Sequence, residues 1–139
     1  MMLKWTWARF DDLGVHALHD ALALRCKVFI LEQGPYQDPD GADKQSHHLL
    51  GYDETGVLQA CLRVVDPGVN YPEPSIGRVV TAKEARGNGT GRALMQEGIA
   101  RCSQVWPGRD IRISAQAHLR GFYGLSLIHI SEPTRQAEI

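Results

Sequence analysis

The feature that most constrains this chain is KEARGNGTGRALMQ (83–96), where three glycines separate a predicted strand from a predicted helix. The strand is SIGRVVTA (75–82). The helix runs from Thr90 to Trp106, where apolar side chains recur at helical spacing. A loop at a helix N-terminus presents free backbone N–H groups and the positive end of the helix dipole. Since glycine lets an anion approach that backbone closely, the stretch predicts an anion-binding site.

Three classes of phosphate-binding loop compete for this pattern, and a plain glycine-rich turn is the alternative that needs no ligand. A P-loop requires Lys and then Ser or Thr after its last glycine, whereas Arg92 and Ala93 follow here. A dinucleotide fold requires G-x-G-x-x-G early in a βαβ unit, whereas this chain has G-x-G-x-G within a mainly antiparallel pattern. The third class binds the pyrophosphate of acyl-coenzyme A. Arg86, in front of the glycines, favours a bound anion over a plain turn.

The rest of the chain predicts an α/β (α+β) domain, with a mixed, mainly antiparallel sheet flanked by helices. LKWTWARF (3–10) alternates as a strand does, and a helical pattern runs from Val15 to about Glu32. HHLLGY and VLQACLRVV form a predicted hairpin through the turn DETG. DIRISAQA (110–117) is a fifth strand, and HLRGFY opens a further helix.

Composition excludes several classes of protein. The 139 residues suit one domain, and a net charge of −1 gives no electrostatic footprint for nucleic acid. We expect no membrane span, because no apolar run approaches the ~20 residues that a span needs. The three cysteines are an odd number without a CxxC pair, so a disulfide framework or zinc site is not expected. We therefore expect a reducing, cytoplasmic compartment and no metal.

RVVTAKEARGNGTGRALM resembles the cofactor motif of the GNAT superfamily of N-acetyltransferases, whose signature is Gln/Arg-x-x-Gly-x-Gly/Ala. Arg86, Gly89 and Gly91 match that signature. LRCKVFILEQGPYQDPDGAD, SIGRVV and AQAHLRGFY resemble the ElaA-like branch, so the resemblance covers nearly all of residues 3–124. It implies a GNAT acyl-CoA N-acyltransferase fold, whose fourth and fifth strands splay apart to admit acetyl-CoA.

The resemblance also implies roles for particular residues. Backbone groups of Val79, Val80 and Thr81 would pair with the pantetheine arm, with an oxyanion donor around Val80. Backbone amides along the loop would hold the pyrophosphate; its residues are Arg86, Gly87, Asn88, Gly89, Thr90 and Gly91. Tyr123 occupies the place of the family's general acid, and Gln116 that of a polar side chain against the cofactor. The alternative for Tyr123 is an aromatic side chain that packs the helix.

The implied activity is N-acetyltransfer from acetyl-CoA to a primary amine of a small molecule or peptide. A non-catalytic acyl-CoA-binding sensor is the alternative, and a nucleotide-binding module is a third interpretation. Candidates for the general base are Glu32, Asp43, His47 and His48, and a chain of water molecules could replace them. The alternative is that the carboxylates are solvated surface groups and that the paired histidines at a strand start are structural. A homodimer is kept open as an assembly.

The acidic loop DPDGAD has two interpretations. Its carboxylates, Asp38, Asp40 and Asp43, miss the D-x-D-x-D-G spacing of a calcium loop, so the segment is a predicted turn. These carboxylates could attract a cationic amine substrate. The alternative is an ordinary exposed loop, in which Asp and Gly are common.

The last segment, LSLIHISEPTRQAEI (125–139), does not continue the pattern of the domain. LSLIHISEPTR resembles the reading-frame translation of a transposase-type sequencing-library adapter. We therefore expect a domain at 1–124 that lacks its C-terminal strands, followed by a non-native tail at 125–139. Such a chain should be poorly soluble and nearly inactive, with a tail that packs loosely or projects, although LSLIHI could mimic one strand.

Overall fold

Six strands lie side by side in sequence order in the computed structural model, which describes residues 2–32, 39–114 and 129–131. The first four pair antiparallel, whereas the fourth, fifth and sixth pair parallel. The strands are β1 (Lys4–Arg9), β2 (Ser46–Tyr52), β3 (Leu58–Val65), β4 (Ser75–Thr81), β5 (Arg112–Ser114) and β6 (His129–Ser131). The predicted mixed, mainly antiparallel sheet is confirmed.

The helical segments differ from the prediction at the first helix. The single helix expected over 15–32 is two consecutive segments, α2 (Val15–Arg25) and a π-helix (Cys26–Glu32), and a short helix that was not predicted, α1 (Phe10–Leu13), precedes them. Gly14 separates α1 from α2 because its φ of 88° and ψ of 154° are not helical. Short 3₁₀ turns follow at Gly41–Gln45 and Lys83–Ala85, and α3 covers Thr90–Val105, close to its predicted bounds.

The predicted hairpin between β2 and β3 is confirmed, and Asp53 organises its turn. The Asp53 carboxylate accepts hydrogen bonds from the backbone amides of Thr55 and Val57, at 2.9 and 3.0 Å. Gly56 adopts a φ of 86°, a conformation that favours glycine. The hydrogen bonds of this turn, from Thr55 above all, lower the pKa of Asp53.

Alternation along the central strands builds one core on each face of the sheet. On one face, Leu50 and Cys61 pack with Leu24 and Phe29 of the first helical segments. On the other face, Leu49 and Leu62 pack with Leu94, Met95 and Cys102 of α3. Consecutive residues of β2 and β3 thus serve opposite cores, which is why all eight residues of β3 are buried.

Gly98 brings α3 close to the sheet. A Cβ added at this glycine would lie 2.8 Å from a Leu62 methyl carbon, too close for a carbon contact. The predicted helix stripe is buried at Leu94, Met95, Gly98 and Cys102. At the end of the helix Val105 continues the apolar spacing but is exposed.

A β-bulge interrupts β4 at the middle of the strand. Arg63 of β3 pairs with Gly77, whereas Cys61 pairs with Val80, so β4 carries one extra residue between these pairs. Arg78 lies in this bulge with a φ of 50°, rare for a residue other than glycine. Beyond it Val80 packs into the α2 core, whereas Ile76 before it packs into the α3 core.

The tail supplies one short strand, which begins within the LSLIHI stretch that could mimic one. His129–Ser131 pairs parallel with Arg112–Ser114 at the edge of the sheet. For these three residues, the prediction of a loose or projecting tail is wrong, because their backbone completes hydrogen-bonded pairs along β5. In the part of the chain that the structure describes, no helix is long and apolar enough to cross a membrane.

Candidate functional site

The glycine loop connects the end of β4 to the start of α3, as the sequence predicted. Gly87 and Gly89 both adopt a φ of 86°, and Gly89 is the residue that precedes the helix. In the described part of the chain, no side chain caps this end of α3. The first backbone N–H groups of a helix have no partner within it, so those of α3 remain available to an anion.

The space around the two left-handed glycines is open. A Cβ added at Gly87 or Gly89 would meet no atom of the described residues within 4 Å. The left-handed backbone conformation, and not internal packing, therefore favours glycine at these two positions. The open space suits a bulky anion such as a pyrophosphate. Gly91 differs, because its added Cβ would make an ordinary 3.9 Å contact with a Thr81 methyl carbon.

Arg86 ties the loop back to the strand. Its guanidinium donates to the Thr81 carbonyl from Nε at 3.4 Å and from Nη2 at 3.2 Å. The side chain is exposed and lies beside the last residue of β4. A positive charge is thereby held between the strand end and the glycines, where the sequence analysis expected it.

One edge of β4 is only partly paired. Ser75 and Ile76 pair with Arg112 and Ile113 of β5, and this pairing stops before the bulge. From residue 77 to residue 81, the strand has no partner on this edge within the described ranges. This edge, open among the described residues, leads directly to the glycine loop.

The register of β4 decides which backbone groups face the open edge. The Ala82 N–H donates to the carbonyl of Gln59, beside β3, at 2.7 Å. Hydrogen-bonded and non-hydrogen-bonded pairs alternate along an antiparallel ladder. Val80 therefore directs its amide and carbonyl toward β3, whereas Val79 and Thr81 direct theirs toward the open edge. An oxyanion donor around Val80 would have to come from one of these neighbours.

The acidic loop is engaged in an internal ion-pair network. The buried Asp43 carboxylate accepts from Arg25 at 3.1 and 3.2 Å and from Arg63 at 2.9 Å. Asp40 accepts from Arg63 at 2.6 Å and from Arg78, the bulge residue, at 3.2 Å. Burial alone would raise the pKa of both carboxyls, but the arginines outweigh it and lower both values. The interpretation of Asp40 and Asp43 as attractors of a cationic amine is therefore wrong, because arginines already neutralise them.

The two histidines proposed as bases are structural. His48 is 2% exposed, and its Nε2 lies 2.9 Å from the Asp43 main-chain carbonyl. Burial lowers the pKa of His48, which keeps the ring neutral. His47 stacks on Trp7 at 4.8 Å and meets Trp106 edge-on at 5.5 Å. Trp106 follows the C-terminal end of α3, a helix ~24 Å long, so His47 lies far from the glycine loop.

A cavity of about 470 Å³ opens between α2, the hairpin turn and the 3₁₀ turn before the glycine loop. Its charged lining residues have both signs: Asp20, Lys27, Lys83 and Glu84. Tyr52 donates to Asp20 at 3.0 Å, and burial together with this hydrogen bond raises the pKa of Tyr52 to about 12. Among the described residues, no three His, Cys, Asp or Glu side chains are grouped to hold a metal ion.

Comparison with known proteins identifies the family. The family described as "Acetyltransferase (GNAT) domain" matches residues 24–125. The chain belongs to the GNAT acetyltransferase family. A UPF0039 protein from Synechocystis is 48% identical over 88% of this chain and 80% of that protein, and ElaA from Escherichia coli is 36% identical over 88% and 81%. The resemblance to the ElaA-like branch is confirmed.

Solved GNAT structures share the fold. The crystal structure of Escherichia coli ElaA has a TM-score of 0.84 at 35% identity and covers 89% of this chain and 85% of its own. An acyl-CoA N-acyltransferase from Pseudomonas aeruginosa has a TM-score of 0.83 at 40% identity, with 88% and 84% covered. A predicted acetyltransferase from Clostridium acetobutylicum, solved with acetyl-CoA, has a TM-score of 0.62 at 15% identity, over 94% and 92%. The predicted GNAT fold is confirmed, and the protein is a GNAT-family acyltransferase.

Several GNAT site residues expected from the sequence lie outside the described residues. Tyr123, Gln116 and Asp38 fall in the ranges that the structure does not describe, and of Glu32 only the backbone is described. The roles of Tyr123 and Gln116 thus stay predictions. The described residues that the sequence predicted to bind the cofactor lie on β4, on the glycine loop and in the first turn of α3; they are Val79 to Thr81 and Arg86 to Gly91.

Sequence reasoning missed the ion-pair network that supports the β4 bulge. Arg63 and Arg78 occupy strands and are nearly buried, at 4% and 6% exposure. The available signal was an arginine within each of the apolar runs LQACLRVV and SIGRVV. A charge is rarely buried without a partner, so two such arginines beside an acidic loop could have predicted the pairing.

Proposed function

We propose that this GNAT protein transfers an acetyl group from acetyl-CoA to a primary amine of a small molecule or peptide. The observation that carries the proposal is the course of β4, which runs past its pairing with β5 and into a helix N-terminus through two left-handed glycines. Acetyl-CoA combines an anionic pyrophosphate with an amide-rich arm. The pyrophosphate suits the glycine loop at the helix N-terminus, and the arm suits the backbone edge of β4 that leads to this loop.

Each part of the site has its own task. The backbone amides from Arg86 to Gly91 bind the pyrophosphate, and the Arg86 guanidinium adds a positive charge beside them. The outward backbone groups of Val79 and Thr81 align the pantetheine arm. One of their N–H groups also stabilises the negative charge that develops on the acyl oxygen. Bound acetyl-CoA supplies the activated thioester.

Proton transfers are assigned to residues of the undescribed region and to solvent. The amine must be neutral when it attacks, and the leaving thiolate must gain a proton. We propose Tyr123 as the donor of that proton and Gln116 as a polar contact to the cofactor. Since Asp43 and His48 are buried and engaged, and His47 lies among tryptophans, we assign deprotonation of the amine to water rather than to these residues.

Relatives support the choice of acyl donor and acceptor. A structure 40% identical to this chain is described as an acyl-CoA N-acyltransferase, and a more distant fold relative was solved with acetyl-CoA. All three cysteines are outside disulfides, which fits the cytoplasmic compartment that we propose.

Two measurements on the purified full chain test the function. Calorimetry with acetyl-CoA should show saturable binding, and a panel of polyamines, amino acids and peptides should yield at least one acetylated product with release of free CoA. Binding without turnover across the panel would favour the acyl-CoA-binding sensor. Absence of binding in a folded sample contradicts both functions.

A further inference from the structure

A second, smaller cavity lies directly against the glycine loop. It has a volume of about 170 Å³, whereas one water molecule occupies ~30 Å³ in the liquid. One wall is the loop and the first turn of α3, through Asn88, Gly89, Thr90 and Ala93. The opposite wall is the start of β1, through Trp5 and through Leu3, the residue before the strand. None of the tasks assigned above uses this β1 wall.

The indole of Trp5 is held in place by the neighbouring strand. Trp5 pairs with Gly51 of β2, and a Cβ at that glycine would lie 2.6 Å from the indole Cζ3. The ring therefore lies over a backbone without a side chain, and it packs against the α3 core. Trp5 remains partly exposed, so a fixed aromatic surface borders the cavity.

The loop wall adds a polar group to this aromatic surface. Asn88 is exposed, and its Oδ1 accepts a hydrogen bond from the Thr90 hydroxyl at 2.6 Å. This bond orients the side-chain amide and leaves its Nδ2 donors for a ligand. The cavity thus combines a fixed aromatic ring, an aliphatic side chain and an oriented amide.

We propose that this cavity binds the purine ring of the acyl-CoA nucleotide, with Trp5 and Leu3 as its apolar wall and Asn88 as its polar contact. The inference rests on the proposed function, which places the pyrophosphate at Gly89 and the first turn of α3. In acyl-CoA, the purine is joined to the pyrophosphate through a single ribose, so it must lie beside the loop. A purine gains from stacking on an aromatic ring and accepts hydrogen bonds on its ring nitrogens.

Trp5→Leu and the matched variant Trp7→Leu test the assignment. Both tryptophans lie on β1 and pack against the α3 core, but Trp7 stacks on His47 and does not line the cavity. The ligands are acetyl-CoA, adenosine 3′,5′-bisphosphate, which lacks the arm, and S-acetyl-4′-phosphopantetheine, which lacks the nucleotide. Calorimetry gives the dissociation constants, and thermal unfolding shows that each variant is folded.

Trp5→Leu should weaken the binding of acetyl-CoA and of the bisphosphate about 5- to 150-fold. This is the factor that corresponds to ~1–3 kcal/mol for one stacked base. The pantetheine ligand should bind Trp5→Leu as it binds wild type, and Trp7→Leu should bind all three ligands as wild type does. The bisphosphate should also quench tryptophan fluorescence in wild type and in Trp7→Leu but not in Trp5→Leu.

The exposed Asn88→Ala variant provides a second probe that leaves the core intact, and it should weaken the two nucleotide ligands alone. Equal losses for all three ligands, or none for acetyl-CoA in a folded Trp5→Leu protein, would overturn the purine site. If wild type binds none of the ligands, the proposed function itself has failed. If wild type binds acetyl-CoA and only the purine dependence is missing, the function stands and the subsite does not.

Discussion

Arg25 of α2 and Asp43, at the 3₁₀ turn before β2, form a two-pronged ion pair with N–O distances of 3.1 and 3.2 Å. The Arg25 and Asp43 side chains are 2% and 7% exposed, so the pair is screened little by water. Asp43 also accepts from Arg63 of β3, which links the first helices to the sheet.

Replacing Asp43 with asparagine should destabilise the fold by about 3–5 kcal/mol, because two buried guanidinium groups would lose their counter-charge. Urea unfolding measures this change. The matched control is Asp66→Asn, whose partner Arg9 binds it with two contacts of 3.0 Å at the surface. That exposed pair should contribute only ~0–1 kcal/mol. Equal losses of unfolding free energy in Asp43→Asn and Asp66→Asn would contradict the larger contribution assigned to the buried pair.

The same pair predicts an acid-sensitive stability. Burial raises the pKa of Asp43, but Arg25 and Arg63 outweigh it, and the folded-state value lies below the usual 3.8. Stability from this group is therefore present above that unfolded-state value and is lost as the pH falls through the lower, folded-state pKa. Unfolding measured between pH 6 and pH 2 should show a decline below about pH 4 that is shallower in Asp43→Asn. Parallel profiles would argue against Asp43 as a source of the decline.

Gly89→Val should sharply weaken acetyl-CoA binding. A left-handed conformation costs a residue with a Cβ ~1–2 kcal/mol, and the branched side chain would occupy the space proposed for the pyrophosphate. Gly91→Ala is the control, because the family signature allows alanine there and the added Cβ makes only a 3.9 Å contact. Calorimetry on folded samples should show a large loss for Gly89→Val and near-native affinity for Gly91→Ala. Wild-type affinity in Gly89→Val would rule out the cradle.

In a full-length version, Tyr123→Phe should lower turnover by about 10²- to 10⁴-fold and leave acetyl-CoA affinity nearly unchanged, because general acid catalysis acts only as thiolate charge develops. Rates must be measured where chemistry limits them. Tyr52→Phe provides the comparison, since the Tyr52 hydroxyl is engaged by Asp20 and should affect stability more than rate. A Tyr123→Phe protein with wild-type turnover would assign Tyr123 to packing.

Removing residues 125–139 should lower solubility and the unfolding temperature. His129–Ser131 pairs with β5, and its loss exposes the edge of a strand that carries the buried Ile113. Exposed edges promote association between sheets. Light scattering and a thermal melt on the two chain lengths measure the effect. If the shortened chain is equally soluble and stable, β6 has no structural role.

The sequence predicted what local patterns determine. Alternation identified β1 to β4, helical spacing identified α3, and the glycine spacing identified the loop. It failed where distant residues decide the outcome. His48 and Asp43 look like catalytic groups in isolation, and only the packing of α2 and β3 around them shows that they are buried partners. The direction of the Val80 backbone was likewise beyond prediction, because it depends on the register with β3.

The bulge at Arg78 puts the two halves of β4 out of phase. Ile76 and Val80 are four residues apart, an even separation that would give them the same face in a regular strand, yet they fill opposite cores. The extra residue also determines the direction of the Val79 and Thr81 backbone groups, which point either toward the cofactor edge or toward β3. Deleting Arg78 would remove the extra residue and leave Ile76 and Val80 three residues apart, still on opposite faces of the sheet. Inserting one residue between them would instead turn Val80 out of its core and turn the backbone groups of Val79 and Thr81 toward β3.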